Sequence, residues 1–246
     1  MSMTLYAAIE LLGGKCLALG EGAAAQAPAY TGDPLEAARR WRLGAEWLHV
    51  VDLDGTLAGT PQHLDVVRAL VGEANPPLQV AGGLRTEANL AAAFEAGAAR
   101  VVLGSEEARK PELLATCLAR WGDKIAVALD ARGENMTVAG WFEIGSEPVV
   151  SFAQRMAQGG VQTLLVANVR RDGTAAGGDD GVLATLRAAL PGTRLIVTGG
   201  AATLADIRAL AAGGMNGVVL GRALYDGSLD LAEALRVARE TAPAGK

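Results

Sequence analysis

Carboxylates stand at the ends of apolar runs in this chain, where they could hold or take a proton. Glu10 closes "AAIE" (7–10), Asp130 closes "VALD" (127–130), and Asp172 follows a further run in "RRDGT" (170–174). Asp52 and Asp54 lie in "VVDLDGT" (50–56). An acid at the end of a buried strand is costly unless it is solvated or paired. Several around one opening point to general acid–base work, with one group holding a proton and another taking one. Any one of them alone reads equally as a helix cap or an ion pair, and "DLDG" and "RDGT" also fit turns. The convergence of Glu10, Asp130 and Asp172 favours chemistry. Trp141, in "AGW", could stack on a planar heterocycle or anchor a loop. His49, inside an apolar run, is expected to be hydrogen-bonded within the fold and to face a ligand, whereas His63 lies in a polar stretch. The chain holds no Ser-His-Asp set and no phosphate-binding P-loop, and its histidines and cysteines lack metal-ligand spacing. The reading therefore expects no metal.

These groups need a frame. Apolar runs rich in Val, Ile and Leu recur at 5–9, 47–51, 78–81, 100–104, 125–129, 163–167, 195–198 and 217–221. They are continuous rather than alternating, as in parallel strands covered on both faces. Helical stretches lie between them. In "DPLEAARRWRLGA", Asp33 suits an N-cap, Pro34 the first helical position, and Leu35, Ala38 and Trp41 share a face. "TLADIRALAAGG" begins at Thr203 with an acid three residues on and ends at a glycine pair. Eight strands alternating with helices predict an α/β fold, a (β/α)8 TIM barrel in one domain spanning 1–246. An open doubly wound sheet lacks support, because the early turn has no G-x-G-x-x-G.

The chain also repeats itself. Residues 78–104 align without a gap to 195–221, and 12 of 27 positions are identical, where chance would give about two or three. The barrel thus reads as two duplicated half-barrels. Each copy ends one strand in Gly-Gly (Gly82 and Gly83; Gly199 and Gly200) and the next in Leu-Gly (Gly104; Gly221). Glycines at loop-to-helix junctions let a backbone approach an anion. The alternative is that they only permit tight turns. The duplication on opposite sides of one mouth favours a ligand with two phosphates.

The bulk properties narrow the partners. The formal charge is −5 and the pI about 5.2, so nothing points to nucleic acid or an acidic membrane. Cys16 and Cys117 stand far apart, as in a reduced cytoplasmic protein. The N-terminal stretch has no basic segment followed by a long apolar run, so no signal peptide is expected. A monomer acting on a small molecule is the expectation.

The segments "AEWLHVVDLDG", "AGGLR", "RVVLGS", "LDARG…GW", "RRDGT", "TGGAATLADIRAL" and "GVVLGRALYDG" together resemble the HisA-type family of histidine biosynthesis, the phosphoribosylformimino-5-aminoimidazole carboxamide ribotide isomerases. The resemblance runs from about residue 5 to 237, with the motifs in family order, and "GW" favours the isomerase over its cyclase sister. It implies a half-barrel duplication, a bis-phosphorylated substrate, no cofactor and no metal, and an Amadori rearrangement of an aminoaldose to an aminoketose. It implies Asp172 as the acid that opens the ribose ring, Glu10 as the base that takes the C2 proton, and Asp130 as a holding group. It further implies substrate contacts from His49, Asp52, Arg85 and Trp141. Phosphate contacts would come from Gly82, Gly83, Gly104, Ser105, Gly173, Gly199, Gly200, Gly221 and Arg222. The chain departs from the family at Glu10, where an Asp is usual, at Ala18 for an Arg, and at Ala167-Asn168 for Thr-Asp. It also departs at Ala81 for a Gly and at Gly177-Gly178-Asp179 for Gly-Pro-Asn. A repurposed or non-catalytic sugar-phosphate-binding paralogue, and a dual-substrate isomerase also acting on phosphoribosylanthranilate, stay open beside the single-substrate reading.

Overall fold

The computed structural model describes residues 2–18, 30–132, 134–138, 143–168 and 181–240. Its strands, in chain order, are β1 (Thr4–Leu12), β2 (Lys15–Ala18), β3 (Tyr30–Gly32), β4 (Trp47–Asp52), β5 (Leu78–Ala81), β6 (Arg100–Leu103), β7 (Ile125–Arg132), β8 (Asn135–Val138), β9 (Glu143–Pro148), β10 (Thr163–Asn168), β11 (Arg194–Thr198) and β12 (Gly217–Leu220). Eight of these are parallel and follow one another around a ring: β1, β4, β5, β6, β7, β10, β11, β12 and back to β1. Helices join them on the outside, so the fold is the expected (β/α)8 barrel. Among the described residues, no helix is long and apolar enough to cross a membrane.

Strand alternation divides the core in two. Tyr6, Ala8, Val102, Ala126, Leu165, Ile196 and Val219 fill the barrel. Leu5, Ile9, Leu48, Val50, Leu103, Val127 and Leu129 point outward and are buried under the helices. Both faces being covered, both are mainly apolar, which is why the strands read as apolar runs rather than as alternating ones.

Local chemistry sets the helix starts. The Asp33 carboxylate accepts from the Leu35 N–H at 3.0 Å, and Pro34–Trp41 buries Pro34, Ala37, Ala38 and Trp41. The Thr203 hydroxyl accepts from the Asp206 N–H at 3.2 Å while the Asp206 carboxylate accepts from the Thr203 N–H at 2.8 Å, a closed capping box. The repeat is visible in the backbone. Thr86 caps its own helix through the Asn89 N–H with φ/ψ of −136°/159°, and its counterpart Thr203 has −132°/161°.

One feature differs from the sequence reading. The first and fifth barrel strands do not stop at Glu10 and Asp130. β1 runs on to Leu12, turns through Gly13 and Gly14 at φ 57° and 72°, and returns as antiparallel β2. Two consecutive positive-φ residues make the tight turn whose twist suits a hairpin. β7 likewise continues to Arg132 and pairs with antiparallel β8. Each half-barrel thus raises a ribbon above the rim after its first strand, with β3 and β9 as outer strands.

Candidate active site

The strand phase that buries Tyr6 and Ala8 inside the barrel carries Glu10 to the inner rim. The phase of Ala126 and Ala128 does the same for Asp130. β1 and β7 are four strands apart in the eight-strand ring, so the two carboxylates face each other across the mouth. Glu10 sits beside Val51 and Asp130 beside Ala167, which in turn neighbours Thr198. Both acids are half-buried.

The loop after β4 is organised by an acid. Asp52 is 3 % exposed and turns away from the barrel interior. One carboxylate oxygen accepts from the Gly55 N–H at 2.7 Å, and the other from the Gln62 and His63 N–H groups at 2.6 and 3.0 Å. These three hydrogen bonds make Asp52 an organiser of this loop. Asp54 accepts from the Gly13 N–H at 2.6 Å and pairs with His63 Nε2 at 2.6 Å, tying the β1–β2 turn to the same loop. The His63 and Gly13 contacts hold the Asp54 carboxyl below the usual carboxylate range. Asp52, Asp54 and His63 lie close enough together to suggest a cation site. Their hydrogen bonds already account for this clustering, and they serve the loop.

The duplicated glycines occupy positive-φ backbone in both copies: Gly82 and Gly83 at 102° and 69°, Gly199 and Gly200 at 80° and 79°. Their surroundings are unequal. A Cβ on Gly82 would lie 2.1 Å from the Asp52 carbonyl oxygen, and one on Gly83 2.5 Å from the Thr60 carbonyl carbon. In the first half these glycines let two loops touch. A Cβ on Gly200 would meet nothing within 4 Å, so the space around that position is open.

The remaining cradle residues flank these turns. Gly104 precedes the short helix Ser105–Ala108, whose first residue is buried. Arg85 spans the first cradle, donating to the Thr56 carbonyl at 3.0 Å and lying 3.6 Å from the Glu107 carboxylate. Gly221 precedes Arg222–Tyr225, where Arg222 is exposed and 3.5 Å from Asp226. This helix is pinned to β1 by the Tyr225 hydroxyl, which donates to the Ala8 carbonyl at 2.7 Å. Asp172, Gly173 and Trp141 lie outside the described residues, as do Gly177, Gly178 and Asp179.

His49 is 4 % exposed and belongs to the interior row of β4, one pleat below Val51. Its Nδ1 meets Gln79 Nε2 at 3.0 Å, and burial pushes its pKa down to about 4, so the ring is neutral at neutral pH. Beneath it lie residues that sequence reasoning passed over. The Arg100 guanidinium donates to the Gln79 side-chain oxygen and to the Tyr6 hydroxyl, both at 3.1 Å, and covers the Trp47 ring at 4.5 Å. The signal was available, since Gln79 and Arg100 are polar residues in apolar strands whose repeat counterparts are Ile196 and Gly217.

A closed parallel (β/α)8 barrel with two carboxylates at its rim and paired glycine turns in both repeat copies defines the class of protein to which the chain belongs. The chain belongs to the family described as "Histidine biosynthesis protein", whose profile matches residues 4–230. Relatives named 1-(5-phosphoribosyl)-5-((5-phosphoribosylamino)methylideneamino) imidazole-4-carboxamide isomerase include one from Moorella thermoacetica, 40 % identical over 243 residues covering 97 % of this chain and 99 % of the relative. One from Gloeobacter violaceus is 41 % identical over 240 residues, 96 % of this chain and 94 % of the relative. One from Thermus thermophilus is 44 % identical over 235 residues, 95 % and 99 %.

Proposed function

We propose that the chain is an aldose–ketose isomerase of histidine biosynthesis and carries out the reaction for which those relatives are named. The observation that carries this reading is the pairing of facing carboxylates with duplicated glycine turns on opposite sides of one mouth, which this reading takes as phosphate cradles. The name of the relatives' substrate contains two phosphoribosyl groups, and a ligand of that kind can reach both cradles while its reacting ribose lies over Glu10 and Asp130. A substrate held at both ends presents C1 and C2 of that ribose in one orientation, the main contribution positioning can make.

In the proposed sequence Asp172 protonates the ribose ring oxygen, and the ring opens to an iminium at C1. Glu10 then removes the C2 proton, giving an enolamine. Protonation at C1 and loss of the enol proton leave the aminoketose. Protons and electrons balance within the substrate, so no co-reactant enters. Asp130 holds the substrate opposite Glu10, and Trp141 stacks near it. The protein acts as a monomer in the cytoplasm in this reading, which sizing chromatography and cell fractionation test.

Purified protein is assayed with the histidine-pathway ribotide and with phosphoribosylanthranilate, and again as Asp172→Ala. Turnover of the ribotide that is lost in the variant supports the reading. Retained phosphate-ligand binding without turnover in the wild type overturns it in favour of a binding paralogue, and turnover of both compounds widens it to a dual-substrate isomerase.

A further inference from the structure

The hydrogen bonds beneath the mouth permit only one arrangement of protons. Arg100 has donors and no acceptor, so the Gln79 atom it meets at 3.1 Å is the amide oxygen. That fixes the amide the other way round at its far end, where the NH2 group faces His49 Nδ1 at 3.0 Å. An NH2 group only donates, so Nδ1 supplies the lone pair. A neutral imidazole with a lone pair on Nδ1 carries its proton on Nε2. Burial keeps the ring neutral. Arg100 is itself held in place by the Tyr6 hydroxyl and the Trp47 face, inside the barrel and away from bulk water. The direction of every bond in the row therefore follows from one group that cannot reverse.

The duplication sharpens the point. The two copies share 12 of 27 residues, yet Gln79 and Arg100 stand opposite Ile196 and Gly217. In the second half Ile196 simply fills the barrel, and a Cβ on Gly217 would press the Tyr6 ring at 2.8 Å. Packing alone can be met by apolar residues, as the second half demonstrates. Burying a guanidinium and an amide in the first half costs desolvation that an apolar pair would avoid.

We propose that Gln79 and Arg100 are positioning residues that hold His49 as a neutral Nε2–H donor, which the ring offers to a sugar oxygen of the substrate. The inference rests on the isomerase reading above. A neutral donor holds the C2 oxygen and favours the carbonyl that forms there as the enol proton leaves, and it takes no proton itself, so it does not compete with Glu10 for the base role. His49 stays neutral before and after the reaction.

The chain has only two histidines, so two-bond proton–nitrogen spectra of protein labelled at histidine are simple, and His63→Gln assigns them. The expected wild-type result at pH 7 is a neutral His49 with its proton on Nε2, without substrate. In Gln79→Glu the carboxylate accepts from both neighbours. Nδ1 becomes protonated, Nε2 loses its proton above the ring's pKa, and kcat at pH 8 falls by about tenfold to a hundredfold, with a smaller change in KM. Gln79→Met, neutral and of similar length, is the second variant should the carboxylate prevent folding. It frees the tautomer and lowers kcat in the same direction. A wild-type ring protonated on Nδ1, or a reversed tautomer with unchanged kcat, overturns the proposal. Absence of wild-type turnover would remove the isomerase reading and the substrate half of this proposal, while the spectra still decide the tautomer.

Discussion

Gly83 and Gly200 are repeat counterparts with nearly the same backbone, φ 69° and 79°, but different surroundings. Replacing each by Ala therefore separates backbone strain from steric overlap within one protein. A non-glycine residue in left-handed backbone costs about 1–2 kcal/mol, offset by about 0.4–1 kcal/mol from the stiffer unfolded chain. Gly200→Ala, with nothing within 4 Å of the new Cβ, should lose only that difference, about 1 kcal/mol. Gly83→Ala adds contacts of 2.5, 2.7 and 2.8 Å to backbone atoms of Thr60 and Pro61. Those atoms cannot retreat freely, because the Asp52 carboxylate holds the next two N–H groups of the loop at 2.6 and 3.0 Å. Overpacking of this kind costs a further 1–3 kcal/mol or so. At about 2–4 °C per kcal/mol for a domain of this size, Gly200→Ala should lower Tm by about 2–4 °C and Gly83→Ala, at about 2–4 kcal/mol in all, by about 4–16 °C. Thermal melts followed by near-ultraviolet circular dichroism read both. Equal shifts would refute the claim that the first glycine pair serves loop contact and the second is open. A phosphate-ligand titration of Gly200→Ala should in addition show weakened binding out of proportion to its small loss of stability.

Three further outcomes follow from the same geometry. Asp54 has a depressed folded pKa, so its contribution to stability is present above the ordinary carboxyl range and is lost as pH falls through the folded value. The Tm gap between wild type and Asp54→Asn should be open at about pH 6 and narrow as pH falls below the ordinary carboxyl range, and a gap independent of pH would contradict this. Phe152 is fully buried, with the Arg109 and Arg155 guanidinium groups 4.8 and 5.1 Å from its ring. Phe152→Ala should cost about 3–5 kcal/mol in urea unfolding, and less than about 1 kcal/mol would show that the outer core is not close-packed there. Glu10→Asp withdraws the carboxylate by one methylene from its place above Ala8 and should lower kcat by about tenfold to a hundredfold. A rate equal to the wild type in steady-state assay would mean that the longer acid is not what positions the base.

The barrel was legible because its strands are buried on both faces and its helices begin with local capping chemistry. Asp33, Thr203 and the apolar runs each state their own structure. The ribbons β2–β3 and β8–β9 were not legible. Their residues alternate weakly, and the Gly13-Gly14 turn that starts the first ribbon reads equally as a strand end. The rim carboxylates Glu10 and Asp130 could be placed from strand phase alone. Asp52 could not, because one residue's shift in phase turns it from the barrel interior to the loop, and only the three N–H groups around it reveal which side it serves. Gln79 and Arg100 escaped notice for the opposite reason. A single polar residue in an apolar strand has no motif, and its meaning comes from partners 21 and 94 residues away.

The broken symmetry of the halves bears on how such a barrel acquires direction. Two identical half-barrels would present equal cradles and equal acids, and a substrate with two phosphoribosyl ends could then bind either way round, with only one ribose set to react. Here the frame is shared while the fittings are not. The Gly82-Gly83 turn is packed against the loop that Asp52 folds, whereas Gly200 is open. The rim acid is Glu10 on β1 but Asp130 on β7, and the row of Arg100, Gln79 and His49 underlies only one side of the mouth. Gln79 and Arg100 are inward-facing positions at which the copies differ, while the glycine turns and the threonine helix caps are shared. A donor fixed beneath only one side of the mouth gives the two orientations different energies, and the Gln79→Glu variant should erode that preference together with the rate.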